Sequence, residues 1–344
     1  MKKIAFAPTI LEHAAMLIER TPSETARCAR LLAQAHVEAF KCYGHNVTVG
    51  IDVYNIEAEA LGSGVRFYDD NSIPGIISHP LTIESSPSQI RFSLDLGRIK
   101  LLLDAATEVK KEIENEAIIN VGICGPFSIF VELLGYEEVI YALYNEDERV
   151  FLFLEALLEF QKNYCFEIVS RGLGVVVFES WASPPLISSH IYRTYVMPFE
   201  RELLSYMRQL GLSSTPLVIG GNTQDIIDDI LSTGTTLLVS DYNSPLSLFT
   251  KKASEKGVTV RANIDPKLVR SGNWKLIKER IEEIHAQGEL YSRIIIGTGV
   301  ISHDTPMENS LYVKEMLGGG GALRAGEDAR ISAPSFGREC QSEK

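Results

Sequence analysis

Residues 174–183 read GVVVFESWAS, and the fold follows from how this run begins and stops. Val175, Val176, Val177 and Phe178 are consecutive apolar residues, too few for a free-standing helix and rich in β-branched valine. Such a run is a strand buried on both faces, as in parallel sheets. It ends abruptly at Glu179, Ser180 and Trp181, a polar and aromatic cluster. The same grammar recurs downstream: an apolar run, a polar group, then a helix. Pro216–Ile219, Thr235–Val239, Val258–Ala262 and Arg293–Ile296 are strands at the spacing of βα units, with helices predicted over 223–231, 246–256, 273–286 and 307–317.

Upstream, Asn46–Ile51 is a strand that delivers Asp52, and Ala117–Ile123 leads into Cys124-Gly125-Pro126. Residues 1–42 read as mainly helical, Leu96–Asn115 as an amphipathic helix, and Ser188–Leu210 as a long helix interrupted at Pro198. Alternating strands and helices leave two α/β architectures, a (β/α)8 barrel or an open doubly wound sheet. The open sheet usually carries a glycine fingerprint after an early strand. Here the candidate loop Gly122-Ile123-Cys124-Gly125 runs into Pro126 and lacks the G-x-G-x-x-G spacing. The expectation is therefore a (β/α)8 TIM barrel with additional N-terminal helices. Residues 1–317 contain no Pro/Ser-rich linker and read as a single domain, whereas 318–344 opens on four glycines and reads as a flexible or non-native tail.

Composition narrows the function. The formal charge of −12 argues against nonspecific nucleic-acid binding, which needs Lys and Arg against phosphates. No run approaches the roughly 20 apolar residues of a membrane span, and Pro8 and Glu12 interrupt the N-terminal stretch against a signal-peptide reading. The 5 cysteines contain no CxxC pair, which fits a reduced cytoplasm and offers no zinc knuckle.

In a parallel barrel, chemistry gathers where strands end. The residues there are Asp52; Cys124 and Ser128; Glu179, Ser180 and Trp181; Gly220, Asn222 and Thr223; Ser240, Asp241 and Tyr242; Asn263 and Asp265; and Thr298, with His303 beyond. Asp, Ser and Asn also cap helices and make turns, and Asn222, Thr223, Asn263 and Asp265 fit that plainer role. Asp52 sits between apolar neighbours, several residues ahead of any helix, and is the leading candidate for a functional acid. Glu179 and Ser180 come next, and Trp181 suits a pocket or core wall. The 7 histidines form no HxH, HxxxH or HExxH pattern. A glycosidase-type pairing of Asp52 with Glu179 stays open, because separation in space is not legible in sequence.

Six ordered segments, DVYNIEAEALG (52–62), GICGPFSIFVELLG (122–135), VVVFESWAS (175–183), TPLVIGGNT (215–223), VSDY (239–242) and IIIGTGVISHDTPMEN (294–309), resemble the uroporphyrinogen decarboxylase superfamily. The resemblance implies a barrel with its cleft at the strand C-terminal ends. It also implies one of two activities: porphyrinogen decarboxylation, or cobamide-dependent methyl transfer between a corrinoid and a thiol or methyl donor. Asp52 matches the decarboxylase aspartate that faces pyrrole nitrogens, and Ser180 matches its FES-type serine. The decarboxylase's arginine-bearing N-terminal motif is replaced by APTILEHAAML, Glu132 stands at its tyrosine, and Thr298 at its late histidine. A polycarboxylate set against Glu132 without those arginines is disfavoured electrostatically.

The methyltransferase branch is the closer one. There the resemblance implies zinc held by an HxC and a later Cys, but the aligned positions here are Val218, Gly220 and Thr298. Zinc is not expected unless Glu179, Asp241, His303 and Cys124 form a different set. The expectation is a cytoplasmic enzyme moving a methyl group between a corrinoid (methylcobalamin type) on a small corrinoid-binding protein and a small substrate. Asp52, Glu179 and Ser180 are the expected catalytic residues, and Glu132, Trp181, Asn222, Asp241, Thr298 and His303 the expected substrate contacts. A porphyrinogen decarboxylase and a non-catalytic corrinoid- or tetrapyrrole-binding protein are the alternatives. No nucleic-acid or membrane partner is expected, and a homodimer is left open.

Overall fold

The structure is a computed structural model that describes residues 4–113 and 116–317, so the tail expected over 318–344 lies outside the described residues. Eight parallel strands carry the fold: β1 (Phe6–Thr9), β2 (Val47–Val49), β3 (Ile119–Cys124), β4 (Gly174–Phe178), β5 (Leu217–Val218), β6 (Leu237–Ser240), β7 (Thr259–Ile264) and β8 (Ile294–Val300). They pair in two halves, β2-β3-β4-β5 and β1-β8-β7-β6, every ladder parallel. The halves join at β5/β6 through threonines. Thr236 N donates to Thr215 O at 3.3 Å, and Leu217 N to Thr235 Oγ1 at 3.1 Å. This is the expected (β/α)8 barrel.

One strand differs from the sequence reading. Residues 6–9 lie in the stretch read as mainly helical, yet they form β1 against β8. Pro8 hides this strand from pattern reading, because proline cannot donate to a ladder and is confined to edges and seams. The free side of β1 is such a seam: among the described residues no ladder bond joins it to β2.

Helices cover the outside. Ile99–Ile113 buries Leu102, Leu103, Ala106, Val109 and Ile113, the one-sided stripe of a helix lying on a sheet. Ala29–Tyr43 stops at Gly44, whose φ of 60° is the left-handed cap that glycine adopts without steric cost. The interruption near Pro198 takes the form of a π-helical turn, Tyr192–Val196, just before Met197–Gln209. Gly64–Arg66 and Gly75–Ser78 pair as an antiparallel hairpin separate from the barrel strands. Among the described residues no helix is long and apolar enough to cross a membrane.

A second, smaller core lies inside the barrel. Leu11, Val53, Val176 and Phe178 are buried there, with Tyr54, Val218 and Val300 packed against them. Each of the four buried side chains contributes about 1.5–3 kcal/mol by leaving water. Gly122 makes room for this cluster, since a methyl group at that position would lie 3.1 Å from Val53 Cγ1. The cluster fills only one side of the lumen, and that asymmetry creates the site.

Candidate functional site at the barrel mouth

Barrel interiors are ordinarily filled by layers of branched side chains. This one keeps a cavity of about 950 Å³ that runs along the barrel, from Asn46, Ser214 and Lys256 at the N-terminal ends of the strands to Ser180, Gly220 and Asp241 at their C-terminal ends. Tyr54, Val176, Phe178 and Val218 form its apolar wall, and Tyr54 meets Phe178 edge-on with ring centroids 5.6 Å apart. Thr9, Asp241, Arg261, Asn263 and Thr298 form the polar wall opposite.

The polar wall follows from the alternation of β7. Thr259, Arg261 and Asn263 line the cavity, while Val260, Ala262 and Ile264 belong to the outer core. Arg261 Nε donates to Asn263 Oδ1 at 3.2 Å, and Nη2 donates to Thr9 Oγ1 and to Thr298 O. Burial pulls the Arg261 pKa down to about 10, against the opposing pull of Tyr54 and Asp241. Asn263 Nδ2 reaches Asp241 Oδ1 at 3.3 Å, and the same carboxylate accepts Gly221 N and Tyr242 N, each at 3.0 Å. Thr298 Oγ1 accepts Thr9 N at 3.1 Å and so ties β8 to β1 beside the cavity.

Of the residues expected as catalytic or as substrate contacts, Ser180, Asp241 and Thr298 line this cavity, joined by Gly220, Tyr242 and Asn263 from the other strand ends. Asp52 does not. It is 2 % exposed and held by a two-pronged pair with Arg98, Nη1 to Oδ1 at 2.8 Å and Nη2 to Oδ2 at 2.7 Å. Asn55 Nδ2 adds a third bond at 3.2 Å, and Arg98 Nε also reaches Glu59 at 2.6 Å. Glu179 is fully buried, with Oε1 accepting Ser128 N at 2.6 Å in the first turn of the helix Pro126–Leu134. Burial pushes its pKa up to about 7, although Ser128 and the helix backbone favour the anion. Ser128 Oγ in turn accepts Trp181 N at 3.1 Å, so Glu179 shapes the loop that presents Ser180.

Glu132 and Trp181 come together elsewhere. Trp181 Nε1 donates to Glu132 Oε1 at 2.7 Å beside a smaller cavity of about 320 Å³, where Trp181 also stacks on Tyr136 at 5.4 Å. Asn222 is exposed and accepts Gln224 N at 3.2 Å through Oδ1, the plainer turn role. His303 is bonded through Nε2 to Arg20 O at 2.9 Å, away from the cavity lining. Asp52 and Glu179 therefore face separate partners rather than a shared space.

The implied metal positions can be tested on their chemistry. Val218, Gly220 and Thr298 all line the one cavity, yet they present a methyl, a hydrogen and a hydroxyl where zinc takes thiolate and imidazole. Among the described residues no three His, Cys, Asp or Glu side chains converge as a metal set. Glu179, Asp241, His303 and Cys124 are likewise not brought together. The residues at the implied positions do not fit zinc.

Sequence reasoning missed Arg261, Thr9 and Tyr54, and it gave Asn263 only a turn role. One signal was available. The run TVRANI (259–264) alternates polar and apolar residues, unlike the continuous apolar run of β4, and so marks a strand with one face on a polar space. Two further buried acids were also unremarked. Glu12 is pushed up to about 7 by burial and acts electrostatically on Tyr54. Glu57, also pushed up to about 7 by burial, accepts Cys124 N at 2.9 Å and Gln161 Nε2 at 3.0 Å.

Comparison with known proteins places the chain in a family. The chain is 24% identical over 290 residues to methylcobamide:CoM methyltransferase MtbA of Methanosarcina mazei, a match covering 80% of this chain and 83% of the relative. A uroporphyrinogen decarboxylase of Gluconobacter oxydans is 27% identical over 159 residues, covering 44% of this chain and 43% of the relative. Among solved structures, a methyltransferase from Methanosarcina mazei superposes with a TM-score of 0.78 at 19% identity, covering 92% of this chain and 94% of that one. The uroporphyrinogen decarboxylase (URO-D) family profile matches residues 6–317, and the chain belongs to that family.

Proposed function

We propose that this protein transfers a methyl group between a corrinoid carrier docked over the barrel mouth and a small substrate held in the lumen. The observation that carries the reading is the convergence of Thr9, Asp241, Asn263 and Thr298 on one cavity at the strand ends, opposite Tyr54 and Phe178. Relatives named as methylcobamide:CoM methyltransferases, aligned over most of their length, support the same reaction class. The state of Asp52 favours methyl transfer over decarboxylation, because it is buried against Arg98 and Asn55 and does not line the cavity where a porphyrinogen would bind.

A methylated corrinoid, when bound, supplies a methyl group open to nucleophilic attack. The chain's own residues bind and orient the other reactant. Asp241 and the Thr298 hydroxyl are the polar contacts, Ser180 sits at the rim, and the Tyr54–Phe178 wall keeps water from the reacting atoms. Asp52 and Glu179 act as positioning residues, the first through Arg98 and Asn55, the second through Ser128.

The test is to mix the protein with methylcobalamin and a panel of small thiols, CoM included. Loss of the methylcobalamin absorbance is followed together with the mass of the methylated product. Protein-dependent transfer is expected. Absence of transfer to every acceptor, with carbon dioxide released from uroporphyrinogen instead, would overturn the reading.

A further inference from the structure

Arg261 stands in the lumen without an ion-pair partner among the described residues. Arginine is rarely enclosed unless paired, and an uncompensated cation away from water is costly. Nη1 makes no hydrogen bond to the described residues and remains accessible to the cavity. Asp241 does not neutralise the guanidinium directly, because its oxygens accept Gly221 N, Tyr242 N and Asn263 Nδ2. Asn263 lies between the two charges and fixes both.

The surroundings are built for this side chain. At Gly297 on β8 an added Cβ would overlap Arg261 Nε and Asn263 Oδ1, so the wall is hollowed where the arginine lies. Lys256 and Arg293 also border the cavity, but they are exposed at the N-terminal ends of β7 and β8, so Arg261 and Asp241 are the charged side chains toward the mouth. Across the lumen, Tyr54, Phe178 and Val218 offer an apolar and aromatic surface.

We propose that the lumen receives a small organic anion, a carboxylate or sulfonate on an apolar body, with the anionic group on Arg261 Nη1 and the body against Tyr54, Phe178 and Val218. This rests on the methyl-transfer reading only for what becomes of the bound molecule. The anion supplies the missing counter-charge, and the planar guanidinium suits a carboxylate or sulfonate better than a point charge does. A neutral ligand of the same shape fills the apolar wall but leaves the cation uncompensated.

The experiment uses the whole chain without corrinoid and measures binding of matched acid and amide pairs, benzoate against benzamide and ethanesulfonate against ethanesulfonamide, by calorimetry and thermal shift. The anions are expected to bind and raise Tm, and the amides to do neither. Arg261→Gln is expected to weaken anion binding roughly 10- to 100-fold, the effect of one charge-assisted hydrogen bond. Arg261→Lys is expected to fall between. Amides binding as tightly as the acids, or Arg261→Gln keeping wild-type anion affinity, overturns the proposal. Should Arg261→Gln fail to fold, the wild-type pairs and Arg261→Lys decide it. Anion binding without methyl transfer defeats only the methyl-transfer reading, and methyl transfer with a lumen indifferent to charge defeats only this one.

Discussion

Replacing Arg98 with methionine leaves two acids without their counter-ion. Arg98 is 7 % exposed and Asp52 2 %, and the guanidinium spans from Asp52, at 2.8 and 2.7 Å, to Glu59, at 2.6 Å. Removing one partner of a buried pair costs about 3–5 kcal/mol, because the remaining charge stays out of water. Glu59 is partly open to solvent and recovers some hydration, so the figure for Arg98→Met lies toward the lower end. At about 2.1 cal/mol/K of unfolding entropy per residue, 344 residues lose roughly 1.4 °C per kcal/mol, so Tm should fall by about 4–5 °C. Thermal unfolding followed by far-ultraviolet circular dichroism measures it. Adding Asp52→Asn to Arg98→Met should recover a good part of the loss, since asparagine needs no counter-ion. An unchanged Tm in Arg98→Met, or a double variant no more stable than the single one, refutes the reasoning. The same series settles what Asp52 does. If Asp52→Asn folds with wild-type stability yet loses all turnover, the positioning role is wrong and a chemical one is right.

Further outcomes follow from the buried acids, the hollow under Arg261 and the lost metal positions. Glu57 has its pKa pushed up from 4.5 to about 7 by burial, so between those values the folded protein holds a proton that the unfolded chain has released. Its contribution to stability is intact below pH 4.5 and is lost as pH rises through 7. Glu57→Gln should therefore gain on the wild type by about 3 kcal/mol between pH 5 and pH 8, and an offset equal at both pH values would count against this. Gly297→Ala should displace Arg261 and weaken benzoate binding at least as much as Arg261→Gln does, and calorimetry showing wild-type affinity would contradict the packing. The triple substitution Val218→His, Gly220→Cys, Thr298→Cys should bind zinc near one equivalent by elemental analysis, because all three positions line one cavity and a Cβ at Gly220 meets nothing within 4 Å. A metal-free triple variant would mean that these positions do not converge.

Strands with continuous apolar runs were legible in sequence, because burial on both faces leaves a composition that no loop imitates. β4 and the βα units after it stand near where their residues place them. β1 was not legible, since its four residues include a proline and sit beside a helical segment. Site residues at strand ends were legible only as a set. Asp241 and Thr298 reach the cavity, whereas Asp52 is drawn away by Arg98, a partner 46 positions along the chain that no local pattern reveals. Arg261 was hidden for a different reason. It lies within a strand rather than at its end, and only the polar–apolar alternation of TVRANI betrays it.

The measurement that tests the central claim most directly is methyl transfer by a protein whose mouth is filled. Gly220 lies on the cavity lining with open space beyond its Cα, so Gly220→Trp should fold with wild-type Tm while its indole occupies the lumen entrance. Transfer of an isotope-labelled methyl group from methylcobalamin should then drop to background, and benzoate binding should disappear with it. A folded Gly220→Trp protein that transfers the label at the wild-type rate would place the chemistry somewhere other than the barrel mouth.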